Sequence, residues 1–170
     1  GDARPFRHGG KFCEHHVGVD RRLSHPGAVA AIRAGDDVLA PDQSGVASDT
    51  LRDQLGPVDL LIANSGVGVP TMLEPINVEE IETMFKVNTL GVVYAIEAVL
   101  PEMLARGKGH LAAISSMAAY LGMPGESGYC ASKAAVNYYM DGLRIQLRRR
   151  GIHVTTICPG VVQIRRSAQG

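Results

Sequence analysis

Three compact apolar runs interrupt an otherwise mixed pattern of hydrophobic and polar residues. Each run has the length and apolar content of a strand that is buried in a parallel sheet. They are residues 58–64, 110–116 and 152–160. The pattern therefore predicts three strands, separated by much longer intervals.

Apolar positions at helical spacing fill those intervals. Residues 77–107 and 128–151 repeat apolar side chains every three or four positions, which predicts two long helices. Asn77 is a cap-type residue followed by acidic residues, so we expect it to cap the first of them. A shorter stretch, residues 44–56, runs from a cap-type serine to a glycine and predicts a helix before the first strand.

Strands that alternate with helices are typical of βαβ units. The order predicts an α/β fold in which a doubly wound parallel sheet carries helices on both faces. Ligands bind at the carboxyl ends of the strands in such sheets. This rule selects residues 64–66, 115–116 and 159–160, where small, polar or turn-forming residues follow the predicted strands.

The first part of the chain has a different character. Residues 1–27 show no lasting periodicity and are interrupted by Gly, His, Arg and Pro, so we expect an irregular, atypical segment there. Residues 28–35 fit either a short strand or the end of a helix. The expected domain organisation is therefore an atypical segment, 1–27, followed by a partial α/β domain, 28–170.

Charge and composition narrow the function classes. The 17 basic and 17 acidic residues balance, so no net charge favours nucleic acid or an anionic membrane. Hydrophobic residues at 45% and charged residues at 20% are typical of a globular domain. We therefore expect a protein that binds neither nucleic acid nor membrane.

Targeting and metal signals are weak. No uninterrupted apolar run approaches the roughly 18–20 residues that cross a bilayer, and no charged-then-apolar leader opens the sequence, so a cytoplasmic location is expected by default. Three scattered cysteines imply no disulfide framework. The cluster at residues 13–16 lacks a second half at ligand spacing, so no metal site is expected.

Tyr129 and Lys133 form the first candidate for chemistry. They are four residues apart in a predicted helix and would lie on one face, one turn apart. The pair fits an acid–base device, but an ordinary amphipathic start of a helix would contain the same spacing. Neighbouring motifs have to distinguish the two.

Five short motifs occur in an order that resembles the classical short-chain dehydrogenases/reductases. They are "ANSG" (63–66), "KVNTLG" with Asn88, "ISS" ending at Ser116, "YCASK" (129–133) and "CPG" (158–160). Ser116 precedes Tyr129 by 13 residues, and Asn88 precedes it by 41. The resemblance covers roughly residues 37–162. It implies that residues 28–170 form a partial Rossmann-type dinucleotide-binding and catalytic domain. It also implies hydride transfer between NAD or NADP and an alcohol or carbonyl compound.

The resemblance also implies catalytic roles. Tyr129 would be the general acid/base, Lys133 would stabilise its phenolate and bind the nicotinamide ribose, and Ser116 would hold the substrate oxygen. Asn88 would anchor a water that links Lys133 to solvent, although a buried structural role for this asparagine is compatible with that. Ser115 is the alternative to Ser116, and the 13-residue gap favours Ser116.

Other positions match the cofactor groove of that family. Asn64 and Gly66 would line the groove, and Pro159 and Gly160 would shape the wall beside the nicotinamide. Asp37 stands where the family often has an Asp-Val pair near the adenine, which is a looser match. The choice between NAD and NADP and the identity of the alcohol or ketone substrate do not follow from these residues.

The proposed chemistry has a physical basis apart from the resemblance. Removal of a hydride from an alcohol gives a carbonyl only if the hydroxyl proton also leaves, so a base is needed at the oxygen. A free phenol, with a pKa near 10, is a poor base at neutral pH. An ammonium group in a partly desolvated site stabilises the phenolate, which is the form that can accept the proton.

The sequence also departs from the family pattern. The family normally has a G-x-x-x-G-x-G turn for the pyrophosphate, but no glycine in this sequence is followed by another four residues later. Ile164 stands where a threonine is common. We therefore expect a member truncated at both ends, with weakened cofactor binding.

Two alternative functions remain open at this point. One is a non-catalytic Rossmann-like fragment that acts through association of its long helices. The other is an epimerase or dehydratase of nucleotide sugars, since those relatives also use a Tyr-x-x-x-Lys pair. The resemblance implies that the full-length form is a homo-oligomer, either a dimer or a tetramer.

Overall fold

The computed structural model describes residues 28–32 and 57–160, and its strands form one parallel sheet. The strands are β1 (Ala28–Ile32), β2 (Val58–Ala63), β3 (Gly109–Ile114) and β4 (Ile152–Ile157), hydrogen-bonded in the order β1-β2-β3-β4. The three predicted strands are confirmed, and the open segment 28–35 contains a strand. β3 and β4 end earlier than predicted, and Pro159 cannot donate a ladder hydrogen bond beyond β4.

Helices connect β2 to β3 and β3 to β4, as the periodicity predicted. They are α1 (Val78–Met84), a π-helical segment (Phe85–Leu90), α2 (Gly91–Arg106), a 3-10 turn (Met117–Tyr120) and α3 (Ser127–Leu147). The π-helical segment inside the first long helix was not predicted. The expectation that Asn77 caps α1 was wrong, because its side chain makes no capping hydrogen bond and bonds to the preceding loop instead.

The hydrophobic core joins α2 and α3 to one face of the sheet. From the strands it takes Leu61, Ala63, Leu111 and Ala113, and from the helices it takes Val92, Ile96, Val99, Met103, Val136 and Met140. All of these side chains are almost completely buried. Burial of aliphatic side chains at this density provides most of the stabilisation of such a layer.

A close approach of two turns fixes the far end of this layer. Gly107 ends α2 with a left-handed φ of 63°, and Gly151 precedes β4 with a φ of 72°. A Cβ at Gly151 would lie 2.0 Å from the carbonyl oxygen of Gly107. Only glycine fits there, because both the backbone conformation and the space exclude a side chain.

The first long helix bears on the expectation that no apolar run approaches the length needed to cross a bilayer. Within the described residues, Val78–Arg106 is long and apolar enough to cross a membrane by length and composition, with 29 residues and a mean hydropathy of 1.3 in an 18-residue window. Val92, Ile96, Val99 and Met103 of this stretch are buried in the core. These four side chains pack against the sheet, as those of a core helix in a globular domain do.

Several sequence expectations lie outside the described residues. They include the irregular segment 1–27 with its Cys13 cluster, the position of Asp37, the helix over residues 44–56, and Ile164. In residues 57–160 the structure contains no group of three or more His, Cys, Asp or Glu side chains that could hold a metal ion.

Leu111 provides a test of the core. It is completely buried on β3, between β2 and β4. Leu111→Ala should lower the free energy of unfolding by about 2–5 kcal/mol, because it leaves a cavity that the sheet cannot close. Leu73, 78% exposed, is the matched control. Leu73→Ala should change the free energy of unfolding by less than about 0.5 kcal/mol in the same urea titration. Equal effects of the two substitutions would contradict the assigned core.

Candidate active site

The loops after β3 and β4 are tied together at the carboxyl edge of the sheet. The Ser115 amide donates to the carbonyl of Ile157 at 2.7 Å, and the Met117 amide donates to the carbonyl of Pro159 at 2.9 Å. These two hydrogen bonds bring the "ISS" and "CPG" segments side by side. The arrangement matches the expectation that segments following the strands meet at one edge.

Lys133 brings a cation to the same edge. Its side chain is 3% exposed, and its Nζ donates to the carbonyls of Ser65 at 2.9 Å and Ile114 at 3.1 Å. Ile114 is the last residue of β3, and Ser65 follows the end of β2, so the amine bridges the ends of two neighbouring strands. Burial lowers the pKa of Lys133 from its ordinary 10.5 to about 8, because desolvation disfavours the charged form.

Tyr129 and Lys133 face the same loop. This loop, residues 64–77, connects β2 to α1. A Cβ at Gly66 would lie 3.3 Å from Nζ of Lys133, and a Cβ at Gly68 would lie 3.6 Å from Cδ2 of Tyr129. The half-buried phenol ring and the buried amine therefore lie against positions two residues apart in one loop. The same-face relation predicted from the spacing is present.

The two adjacent serines after β3 have different surroundings. Ser115 is buried, and its hydroxyl donates to the backbone carbonyl of Lys133 at 3.1 Å. Ser116 is half-buried, and its Oγ accepts from the Ala118 amide at 3.1 Å, where it caps the 3-10 turn. Ser115 thus anchors α3 to β3, whereas Ser116 remains partly accessible. This difference supports the choice of Ser116 over Ser115 as a substrate-binding residue.

Asn88 lies in the π-helical segment and is completely buried. Its Oδ1 accepts from the Val67 amide at 2.7 Å, and its Nδ2 donates to the Val67 carbonyl at 2.9 Å and to Ser132 Oγ at 2.8 Å. Ser132 in turn donates to the Tyr129 carbonyl at 2.8 Å. The amide of Asn88 therefore fastens the 64–77 loop to the helix that carries Tyr129 and Lys133.

The remaining sequence-predicted residues border this edge with different exposure. Asn64 and Pro159 are half-buried, whereas Gly66 and Gly160 are exposed. Gly66 adjoins the Lys133 amine, and Pro159 binds the Met117 amide through its carbonyl. Asp37 lies outside the described residues, so its predicted contact with the adenine stays a prediction.

Sequence reasoning missed three residues that organise the site. Ser65 and Val67 act through backbone atoms, for which side-chain identity gives no signal. Ser132 acts through its hydroxyl and lies three residues after Tyr129 in an otherwise apolar stretch. A small polar residue at that spacing, on the buried side of a helix, was the available signal.

Comparison with known proteins identifies relatives of this chain. The sequence model of the short chain dehydrogenase family matches residues 20–169. An uncharacterized oxidoreductase of Myxococcus xanthus (strain DK1622) is 37% identical over 127 residues, covering 75% of this chain and 50% of that protein. The ketoacyl reductase HetN of Nostoc sp. is 32% identical over 132 residues, covering 78% and 46%. The chain thus spans about half the length of these relatives.

Solved structures agree with the sequence comparison. A gluconate 5-dehydrogenase from Burkholderia cenocepacia J2315, in complex with NADP and tartrate, superposes with a TM-score of 0.68 at 30% identity, covering 73% of this chain and 49% of that one. An alcohol dehydrogenase from the archaeon Thermococcus sibiricus, complexed with 5-hydroxy-NADP, gives 0.67 at 27% identity, covering 74% and 52%. The predicted Rossmann-like class is confirmed.

Burial of Lys133 predicts a specific pH dependence of stability. Below about pH 8 the folded chain holds a desolvated ammonium; between about pH 8 and 10.5 it loses this proton before the unfolded chain does. The unfolded chain then binds more protons, so stability rises with pH over this window. Compared with Lys133→Met, which lacks the titrating group, the wild type should gain about 3 kcal/mol of unfolding free energy from pH 7.5 to 10.5.

Urea denaturation of both proteins at several pH values measures this difference. Tyr139, whose pKa is raised by burial and by Glu97, acts in the opposite direction above pH 10. It is present in both proteins and cancels in the comparison. A difference that stays flat across the window would show that the amine is not desolvated.

Proposed function

Because the chain belongs to the short-chain dehydrogenase family, we propose that it forms the catalytic part of an NAD(P)-dependent oxidoreductase. The substrate is a small alcohol or ketone, and Tyr129 is the general acid/base. The observation that carries the proposal is the juxtaposition of a buried amine and a half-buried phenol against one loop at the carboxyl edge of the sheet.

The residues at this edge fit the nicotinamide ribose of a dinucleotide. Gly66 and Gly68 are exposed and lack side chains, so a ligand can approach the backbone of the loop beside the Lys133 amine. A lysine ammonium has three N–H groups, and two of them bind carbonyls here, which leaves one for a ribose hydroxyl. The buried Ser65 Oγ has no hydrogen-bond partner among the described residues.

The protein's own groups would manage the proton of the reaction. When bound, the dinucleotide supplies or accepts the hydride at its nicotinamide ring. In the direction of alcohol oxidation, the Tyr129 phenolate takes the hydroxyl proton of the substrate, and in ketone reduction the phenol returns it. Ser116 donates a hydrogen bond to the reacting oxygen and stabilises the charge that develops on it.

Lys133 supplies a cation beside the phenol of Tyr129. A cation held in a desolvated position acts on a neighbouring phenol far more strongly than a solvated cation does. The two carbonyls fix its position, so no reorganisation is needed when the proton moves. A phenolate beside the amine would in turn favour the charged form of Lys133, which opposes the effect of burial on its pKa.

Apolar side chains at the rim of the site favour one class of substrate. Met117 and Leu121 are exposed directly after Ser116. Apolar side chains beside a reacting oxygen favour a lipophilic alcohol or ketone. The two solved relatives described above were crystallised with NADP or a derivative of it, so NADP is the first cofactor to test.

Cofactor binding and turnover test the proposal together. We expect NADPH or NADH to bind the purified chain in a fluorescence titration below millimolar concentration, and a panel of acetone, cyclohexanone and acetophenone to reveal turnover. Tyr129→Phe should lower kcat at least about a hundredfold, because it removes the transferable proton and leaves the ring. It should leave the cofactor Kd within about threefold.

Tyr138→Phe is the matched control, since Tyr138 lies on the same helix but is 81% exposed. Its kcat should equal that of the wild type. An active Tyr129→Phe variant would contradict the role of Tyr129, and a wild-type chain that binds neither cofactor at millimolar concentration would contradict the proposed function.

Association of this chain through α3 is a second candidate function. Tyr138 and Ile145 are seven residues apart on this helix, 81% and 79% exposed, and so form an apolar stripe on its outer face. A second copy of the chain is the proposed occupant. Ile145→Lys should convert an oligomer to a monomer in sedimentation velocity. Leu73→Lys, at an equally exposed position, should leave the oligomer intact. A wild-type chain that is monomeric at high concentration would exclude self-association.

A further inference from the structure

The helix that carries Tyr129 begins without a cap of its own. Glu126 stands at the cap position of α3 and makes no side-chain capping hydrogen bond. The first amides of a helix have no partner within the helix and require an acceptor from elsewhere. The Gly128 amide finds one in Thr71 of the 64–77 loop, whose Oγ1 accepts it at 2.9 Å.

A second hydrogen bond joins Thr71 to the segment just before α3. The Thr71 amide donates to the carbonyl of Gly125, three residues before Gly128, at 2.7 Å. Gly128 is itself packed so closely that a Cβ would lie 2.6 Å from Cε of Met84. The residue directly before Tyr129 is therefore held by Thr71 on one side and by the core on the other.

Thr71 is in turn fixed by Asn77. The Asn77 Nδ2 donates to the carbonyl of Pro70 at 3.0 Å, and its Oδ1 accepts from the Met72 amide at 2.8 Å. One side chain thus clamps both neighbours of Thr71. This explains why Asn77 does not cap α1, and it gives Thr71 a defined position although the neighbouring loop residues are exposed.

The same loop reaches the reacting groups at its other end. The Ser65 carbonyl accepts from Lys133, and Gly68 lies against the Tyr129 ring. Between these points Val67 is bonded to Asn88. The loop therefore runs along the first two turns of α3 and is attached to that helix at both ends, with the phenol between the attachments.

We propose that Thr71 is a positioning residue for Tyr129. Its hydroxyl caps α3 from outside the helix and thereby fixes the phenol ring against the 64–77 loop. The inference rests on the proposed function, because Tyr129 must be the acid/base for its position to matter. A displacement of the ring by about 1 Å would be enough to slow proton transfer strongly.

Replacement of the hydroxyl alone tests this role. Thr71→Val keeps the shape and removes the acceptor, and it should lower kcat about tenfold while the KM for NADPH stays within about twofold. Thr71→Ser keeps the acceptor and should restore kcat to within about twofold of the wild type. Thr83→Val is the matched control, since the Thr83 hydroxyl bonds only the Glu79 carbonyl of its own helix in the described structure, and kcat should not change.

Amide hydrogen exchange measured by NMR provides a readout that does not depend on turnover. The Gly128 amide should be protected in the wild type and in Thr71→Ser, and should exchange at least about tenfold faster in Thr71→Val. A Gly128 amide that exchanges freely in the wild type would overturn the inference, even if Thr71→Val fails to fold.

The two proposals fail in different ways. A wild-type chain that turns over the ketone panel, together with a Thr71→Val variant of unchanged kcat and exposed Gly128 amide, would overturn the positioning role and leave the proposed function intact. A wild-type chain without cofactor binding or turnover would overturn the proposed function and, with it, the proposed role of Thr71 in positioning Tyr129.

Discussion

The buried amine of Lys133 is the constraint on which the rest of the site depends. An ammonium group loses several kcal/mol of hydration when it is buried without compensation. Two carbonyls at the ends of β2 and β3 provide part of that compensation. They can do so only because the parallel register brings both strands to the same edge of the sheet and because α3 passes over that edge. Register, helix placement and local charge are thus coupled through one side chain.

The 64–77 loop follows from the same constraint. A loop that supplies a carbonyl to the lysine must approach α3 closely, and a side chain at Gly66 would crowd the amine. Further along, Asn88 holds the loop at Val67, and the π-helical segment around Asn88 turns this amide toward both Val67 and Ser132. Insertions of this kind interrupt a helix and are frequent at functional sites. The irregularity therefore has a structural purpose, which is to join two parts of the site.

The sequence predicted the secondary-structure elements and the relative placement of Tyr129 and Lys133 better than it predicted the contacts that connect them. Apolar runs identified the cores of β2, β3 and β4, and a spacing of four identified the relation of Tyr129 to Lys133, because burial and helical geometry leave a direct trace in residue type. Asn77 was predicted wrongly, since a cap-type residue before an acidic turn looks the same whether its amide bonds the helix or the loop. Ser65 and Val67 contribute backbone atoms and Thr71 contributes a contact across 57 residues, and neither kind of contact has a local signature.

Stability does not account for a lysine at position 133. Burial lowers its pKa, which means that the folded chain is less stable at neutral pH than it would be if the amine were solvated. An apolar side chain of similar length would avoid that cost, as replacements of buried charges in other proteins do. A destabilising cation that is bonded to two strand ends and lies beside Gly66 of the 64–77 loop is the arrangement expected where an electrostatic effect on a neighbouring group is needed. The neighbouring group that shares its loop is the phenol of Tyr129.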